Sequence, residues 1–294
     1  MEIPQNFIDL GYKWDSAYGA NQSKAELVFK KWLQQEHGMR TPPSTRMIIG
    51  TLVQEGADMV LGLDNYNEMV GQQEGMPIAE ATRHIMGKYD EYKPRTWEEK
   101  DQEEYEAFRE YIPEMIANAV AAVKEWSAQA NLLEGEHQSW HRVDGLTVPI
   151  LYYRDYHAGG MFADTKCQLP VRNPKKKDGT FTWRIPKPQT APSYNQTVQM
   201  GIYWKASGQL PSLLYVTASG YSIVNSQNCE ALTEESLERA YNHAVRSWMT
   251  TQNLFTAANG SWKKLAGLVC PDFNEIARMH GPDYVKLAQQ LWSN

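Results

Sequence analysis

Apolar positions in the first half of the chain recur at the three-to-four-residue spacing of amphipathic helices, and a spacing nearer two takes over only beyond Gly135. Ser23 is placed to cap a first helix, in which Leu27, Val28, Trp32 and Leu33 share a face until Gly38 ends it. The run Thr41-Pro42-Pro43-Ser44 breaks the chain, and a second helix is expected over 46–63 with Ser44 or Thr45 as its cap. Further helices are predicted over 77–88 and, as one long element, over 96–132. The first half of that long element is dense in charge, which reads as a solvated face carrying i,i+4 pairs. Residues 1–20 are mixed and aromatic, and read as an irregular lead-in.

From 136 onward the pattern predicts short strands. One covers 136–143 and is closed by the turn Asp144-Gly145. Two more, 148–155 and 161–166, are joined by the glycine turn Ala158-Gly159-Gly160. A helix follows over 193–206, then strands at 213–217 and 221–224, and helices over 233–255 and 273–291. The chain is therefore expected to form one mixed α/β (α+β) domain over 1–294. It would be mainly helical over 1–133, hold its sheet core over 134–226, and be helical again over 227–294.

The paired strands carry the candidate chemistry. One ends at Asp155 and the other leads into Asp164, so a hairpin would bring two carboxylates together. Such a pair repels unless a positive charge lies between them, and a hard divalent cation with oxygen ligands is the usual solution. Lys166 lies two residues beyond Asp164 and so shares its face. A basic stretch, Arg172 with Lys175, Lys176 and Lys177, leaves directly from this strand and is followed by Arg184, a pattern suited to a polyanion.

Composition narrows the class. At 294 residues the chain has ample core for one large domain, and no stretch has the apolar length of a membrane span. The segment MEIPQNFIDL lacks the basic and apolar regions of a signal peptide, so a cytoplasmic location is expected, the host cytoplasm if the chain is phage-encoded. Cys167, Cys229 and Cys270 are too far apart for a disulfide framework or an iron–sulfur site and read as small core residues. A net charge of -6 argues mildly against a nucleic-acid coat, yet leaves room for a local basic channel. Among the histidines only His157, close to Asp155, stands near this chemistry.

Asp155 at the end of VPILYYRD, Asp164-Thr165-Lys166, and Gln199-Met-Gly-Ile-Tyr203 on the following helix together resemble the motifs of the PD-(D/E)XK nuclease superfamily, in its RecB-like and phage-exonuclease branch. A weaker match is Gly50-Thr-Leu-Val-Gln54, which stands where these proteins often have a histidine-bearing motif, with Gln54 in the histidine's place. The competing triplet Glu98-Glu99-Lys100 falls in the charged helix rather than at the end of an apolar strand, and is rejected as the motif. The likeness covers roughly 44–56 and 134–218.

The resemblance implies a restriction-endonuclease-like αβββαβ core with a central mixed sheet and helical flanks. It also implies a metal-dependent deoxyribonuclease, an exonuclease acting on linear DNA ends in phage-type recombination, repair or degradation. The alternatives are a structure-specific endonuclease and a non-catalytic nucleic-acid-binding member of the fold. Asp155, Asp164 and the Thr165 carbonyl would hold Mg²⁺ or Mn²⁺, with Lys166, Gln199 and Tyr203 completing the catalytic set. Gln54 is a poor metal ligand, so the site would lack that ligand or take Glu55 or Glu136 instead. Arg154, Arg172, Lys175, Lys176, Lys177 and Arg184 are candidates for phosphate contacts. No iron–sulfur cluster is expected. The chain carries no ATP-binding motif, so processive digestion would require a ring-shaped homo-oligomer or a single-strand-annealing or recombination partner.

Overall fold

The computed structural model describes residues 3–63, 74–95, 97–130, 132–173 and 182–293. The chain begins with helix α1 (Gln5–Asp9), the two-residue strand β1 (Asp15–Ser16) and a 3₁₀ turn over Ala17–Asn21. The lead-in is thus built into the fold rather than irregular. Tyr12 and Asp15 are buried, with the Tyr12 hydroxyl donating to Asp15 Oδ2 at 2.7 Å. So short a strand has no periodicity to detect.

Helix α2 (Lys24–His37) starts after Ser23 and stops at Gly38, whose φ of 63° a side chain would resist. In α3 (Thr45–Leu61) the cap is Ser44, which accepts from Met47 N–H at 3.4 Å. Helix α4 (Ile78–Glu91) follows. The long helix expected over 96–132 is two helices, α5 (Glu99–Phe108) and α6 (Ile112–Trp126), divided by a 3₁₀ turn at Arg109–Tyr111. Pro113 explains the division. Its ring and missing N–H fit only a first turn, so a new helix must begin there.

The strand region comprises β2 (Leu133–Glu134), β3 (His137–His141), β4 (Ile150–Arg154), β5 (Tyr156–Ala158), β6 (Met161–Cys167), β7 (Val171–Arg172) and β8 (Trp183–Arg184). Helix α7 (Tyr194–Ser207), strands β9 (Pro211–Thr217) and β10 (Gly220–Val224) and the long helix α8 (Glu234–Ala258) come next. The chain closes with α9 (Trp262–Gly267), α10 (Phe273–His280) and α11 (Pro282–Ser293). A single final helix was expected over 273–291. It is broken at Gly281, whose φ of 108° is open to glycine and closed to side chains, and at Pro282 behind it.

The molecule is therefore mixed α/β. Its sheets run β1-β4-β3, β10-β9-β6-β5-β2 and β7-β8. In the five-stranded sheet β6 lies parallel to β9, and its other pairings are antiparallel. Strand β9 is buried along its whole length. Leu213 and Tyr215 pack with α7 and α8, whereas Val216 packs with α3, α4 and α6, so helices cover both faces. A separate aromatic cluster ties the two ends of the chain together, with Tyr12 stacked on Phe255 at 4.2 Å. Of the cysteines, Cys167 and Cys229 are half-buried, but Cys270 is exposed and not a core residue.

His280 ties α10 to the linker before α3. It is fully enclosed, its Nδ1 is hydrogen-bonded to the Thr41 hydroxyl, and Phe29 stands edge-on to its ring. Burial lowers its pKa to about 4, helped by the charges of Lys30 and Arg95 and opposed by Glu26 and Glu275. The unfolded chain takes up this proton near pH 6.5, so between there and pH 4 the unfolded state binds more protons and stability falls as pH falls. Urea unfolding is expected to lose roughly 1–2 kcal/mol between pH 7 and pH 4 through this residue. The pH dependence of unfolding in His280→Gln should lack that component.

Candidate active site

Asp155 occupies the single position between β4 and β5, where the chain passes from the three-stranded sheet to the five-stranded one. The strand expected over 148–155 is thus divided. Strand β4 pairs with β3 and β1, and only β5 pairs with β6, across the turn at Gly159 and Gly160. The register sets Tyr156 opposite Ala163, and one step further sets Asp155 opposite Asp164. The two carboxylates are 8% and 3% exposed. Asp155 Oδ2 accepts the Thr165 N–H at 2.6 Å, which anchors it to the neighbouring strand.

Lys166 leans back along β6 and forms an ion pair with Asp164 Oδ2. Its ammonium also donates to Gln199 Oε1 at 3.0 Å. Gln199 Nε2 donates to the Tyr203 hydroxyl at 2.7 Å and lies 3.5 Å from Asp164 Oδ1. These two side chains stand one turn apart on α7, whose start is fixed by a capping box between Ser193 and Gln196. Asp155, Asp164, Thr165, Lys166, Gln199 and Tyr203 line one cleft of about 1320 Å³.

Burial sets the electrostatics. It raises the Asp155 carboxyl well above the usual range, with the charge of Asp164 adding to the effect and Lys166 opposing it. Burial works against the Lys166 ammonium, but Asp164 and Asp155 outweigh it and its pKa is raised, so it stays charged. The Cys167 thiol, next along β6, is pushed up to about 12 by burial and by Asp155, which makes it inert.

The donor set fits a small hard cation. Two shielded carboxylates face each other, and among the described residues Asp164 Oδ2 has no aligned hydrogen-bond donor despite its ion pair. Among the described residues no group of three His, Cys, Asp or Glu side chains comes together. Mg²⁺ tolerates such a site, because it keeps several waters and takes one or two carboxylates together with substrate phosphate oxygens.

No family profile and no curated protein matches the chain. A solved structure described as "Crystal structure of SSO0001" is similar over 67% of this chain and 96% of that one, at 13% identity and a TM-score of 0.26, too slight a likeness to bear on fold or function.

The remaining sequence candidates divide. Gln54 on α3 and Glu136 before β3 both line the cleft. Glu55 does not belong to it. One residue on, the helix has turned by about 100°, and Glu55 meets Lys88 of α4 in an ion pair. Arg154 also turns away from the cleft, lying 5.9 Å from the Tyr152 and Phe162 rings on the core side of β4. Arg172 and Arg184 sit on the β7–β8 ribbon, and Arg172 donates to Glu103 at 3.0 Å. Lys175, Lys176 and Lys177 lie outside the described residues. His157 points elsewhere, its Nδ1 being 3.1 Å from Glu134. In the rejected triplet, Lys100 reaches Glu104, but that glutamate and Asp101 are buried and held by Arg46 and by the Thr45 and Arg95 N–H groups, so the helix expected to be a solvated face carries two of its acids inside.

Sequence reasoning missed several contributors. Trp14, Arg40, Arg46 and four glutamines, Gln34, Gln168, Gln189 and Gln196, join the same cleft. Asp58 acts electrostatically on Asp155 and Tyr156. Its signal was available, since it follows Gln54 by four residues and so lies on the same face of α3.

Proposed function

We propose that the chain is a metal-dependent nuclease of the PD-(D/E)XK type, hydrolysing phosphodiester bonds in DNA and acting from ends. The convergence of Asp155, Asp164, Lys166, Gln199 and Tyr203 on one cleft carries this reading, because these residues come from three separate elements. The chain order α6, β3, β4–β5, β6, α7, β9 matches that expected of a restriction-endonuclease-like core, although β3 and β4 belong to the three-stranded sheet and only β5, β6 and β9 to the mixed one.

In this reading Asp155, Asp164 and the Thr165 carbonyl would hold Mg²⁺ or Mn²⁺. The ion supplies an activated water and charge stabilisation at the phosphate. Lys166, held by Asp164 and Gln199, orients the attacking water and neutralises charge developing on the phosphoryl oxygens. Gln199 and Tyr203 fix the Lys166 ammonium and offer further donors to a non-bridging oxygen. The amide-rich lining and Arg40 suit a backbone gripped without base reading, whereas Arg46 on the same wall is paired with Glu104.

Arg172 and Arg184 supply phosphate contacts at the ribbon that borders the cleft through Val171 and Pro186. Replacing both with Ala is expected to weaken DNA binding uniformly across sequences. The slope of log K against log salt should fall by about 2.

Digestion of end-labelled linear and covalently closed circular DNA with Mg²⁺, Mn²⁺ or EDTA tests the function. Metal-dependent loss of the linear form alone is expected. Cutting of the circle would instead make it an endonuclease on the same scaffold, and silence under every condition would overturn the catalytic reading.

A further inference from the structure

The three-stranded sheet has one face in the core, and on the other exposed aromatic rings surround Leu151, which is itself 6% exposed. Cross-strand partners share a face, so the pairs Trp140 with Leu151, Gln138 with Tyr153 and Ser16 with Leu151 all point the same way. Trp14, two residues before Ser16, continues that row. The alternate residues Ile150 and Tyr152 are in the core, and His141 Nε2 lies 3.1 Å from the Tyr241 hydroxyl on that side. On the open face Trp140 is 52% exposed, Tyr153 40% and Trp14 39%.

Packing does not account for these rings, since burying them would contribute far more than leaving them in water. Their surroundings suggest an occupant. Trp14, Leu151 and Tyr153 line the same cleft as Asp155 and Asp164, so the aromatic face runs into the carboxylate pair. Cations accompany it. Lys31 Nζ stands 4.7 Å from the centre of the Trp14 ring, and Arg40 lines the adjoining cleft wall beside Arg46, whose guanidinium is paired with Glu104. Flat rings on an open sheet, flanked by cations, match the requirements of unpaired bases on a phosphate backbone. Every base has a π-face to stack, and a duplex offers none along its length.

We infer that this face is a base-stacking platform for single-stranded DNA, across which an unpaired strand passes over Trp140, Tyr153 and Trp14 into the carboxylate cleft. The inference rests on the nuclease reading for the direction of travel, and names the substrate as a single strand or a single-stranded tail. Duplex DNA would engage only after its end had opened.

The test is fluorescence anisotropy in EDTA, with a labelled oligo(dT) of about 15 nucleotides and a blunt duplex of the same length. The wild-type protein is expected to bind the single strand at least ~10-fold more tightly than the duplex. Trp140→Ala and Tyr153→Ala should each weaken single-strand binding roughly 5- to 100-fold, the range for loss of one stacked base. Trp140→Phe, which keeps a ring, should stay near wild type, and thermal unfolding of all three should be unchanged because the rings are exposed.

Equal binding of the two DNAs, or unchanged oligo(dT) affinity in both alanine variants, would overturn the platform. So would wild-type dimerisation in sedimentation that disappears in Trp140→Ala, since the face would then belong to a second copy. Cleavage assays with Mg²⁺ separate the two ideas. Wild-type cleavage with no binding defect in the alanine variants sinks the platform alone, whereas a binding defect without any wild-type cleavage sinks the nuclease reading alone.

Discussion

Lys166→Ala is expected to lower metal-dependent DNA hydrolysis by on the order of 10³-fold, within the range for loss of a positioned proton-transfer or charge-stabilising group. Its ammonium is the positive charge in contact with Asp164, and Gln199 aims it along the same axis. Removing it has a second consequence. Asp164 is almost wholly buried and Asp155 lies opposite, so the variant leaves two buried carboxylates with their repulsion unrelieved. Loss of one partner from a buried pair costs roughly 3–5 kcal/mol, so Lys166→Ala should unfold at a markedly lower temperature in EDTA. A divalent cation bound between the carboxylates would replace the lost charge, so added Mg²⁺ should recover much of that stability without recovering activity. Scanning calorimetry with and without Mg²⁺ checks the stability, and a gel assay checks the rate. A variant equally stable in EDTA and fully active would show that Lys166 is a surface lysine beside an unrelated acid.

The second large effect is expected at Gly201, in the middle of the Gln199–Tyr203 pair. Helices α7 and α8 cross so closely here that a Cβ on Gly201 would lie 2.7 Å from the Leu237 carbonyl oxygen and 3.1 Å from the Tyr241 nitrogen. Both obstacles are backbone, so no side-chain rotation relieves them. Gly201→Val must push α7 away from α8, and overpacking of this kind costs typically 1–3 kcal/mol and occasionally more. The shift also moves Gln199 and Tyr203, which sit on the same helix two residues to either side. Chemical denaturation should therefore show a loss of roughly 3 kcal/mol, accompanied by a fall in cleavage rate at temperatures where the protein is still folded. Unaltered stability would mean that the two helices are less tightly apposed than their backbones indicate.

Much of the fold was legible because long, strongly periodic segments form elements on their own pattern. Helix α2 ends at Gly38 and α7 starts at Ser193 as local chemistry requires. The candidate site was legible for a related reason. Asp155 follows an apolar strand and Asp164 and Lys166 lie within another, where a pattern of alternation fixes which residues share a face.

What escaped depends on contacts distant in sequence. Strand β1 exists only because Asp15 and Ser16 pair with Ile150 and Leu151, and the split of the chain at Asp155 between two sheets follows from that pairing. The exposed aromatic face needs the β3–β4 register before it can be seen at all. Glu55 was separated from Gln54 only by helical rotation, and Arg154 from Tyr153 by the alternation of a strand whose core side was not yet known. Pro113 and Gly281 were readable as breaks, but the flanking helical periodicity hid them.

Asp155 and Asp164 are proposed to form one metal site that cuts DNA. Mn²⁺ binding and cleavage of a labelled linear DNA, followed in the same samples of wild type and Asp164→Ala, test it most directly. Both are expected in the wild type, and both should be lost together in the variant. Cleavage that survives in Asp164→Ala, or a wild type that binds Mn²⁺ and never cuts, would contradict it.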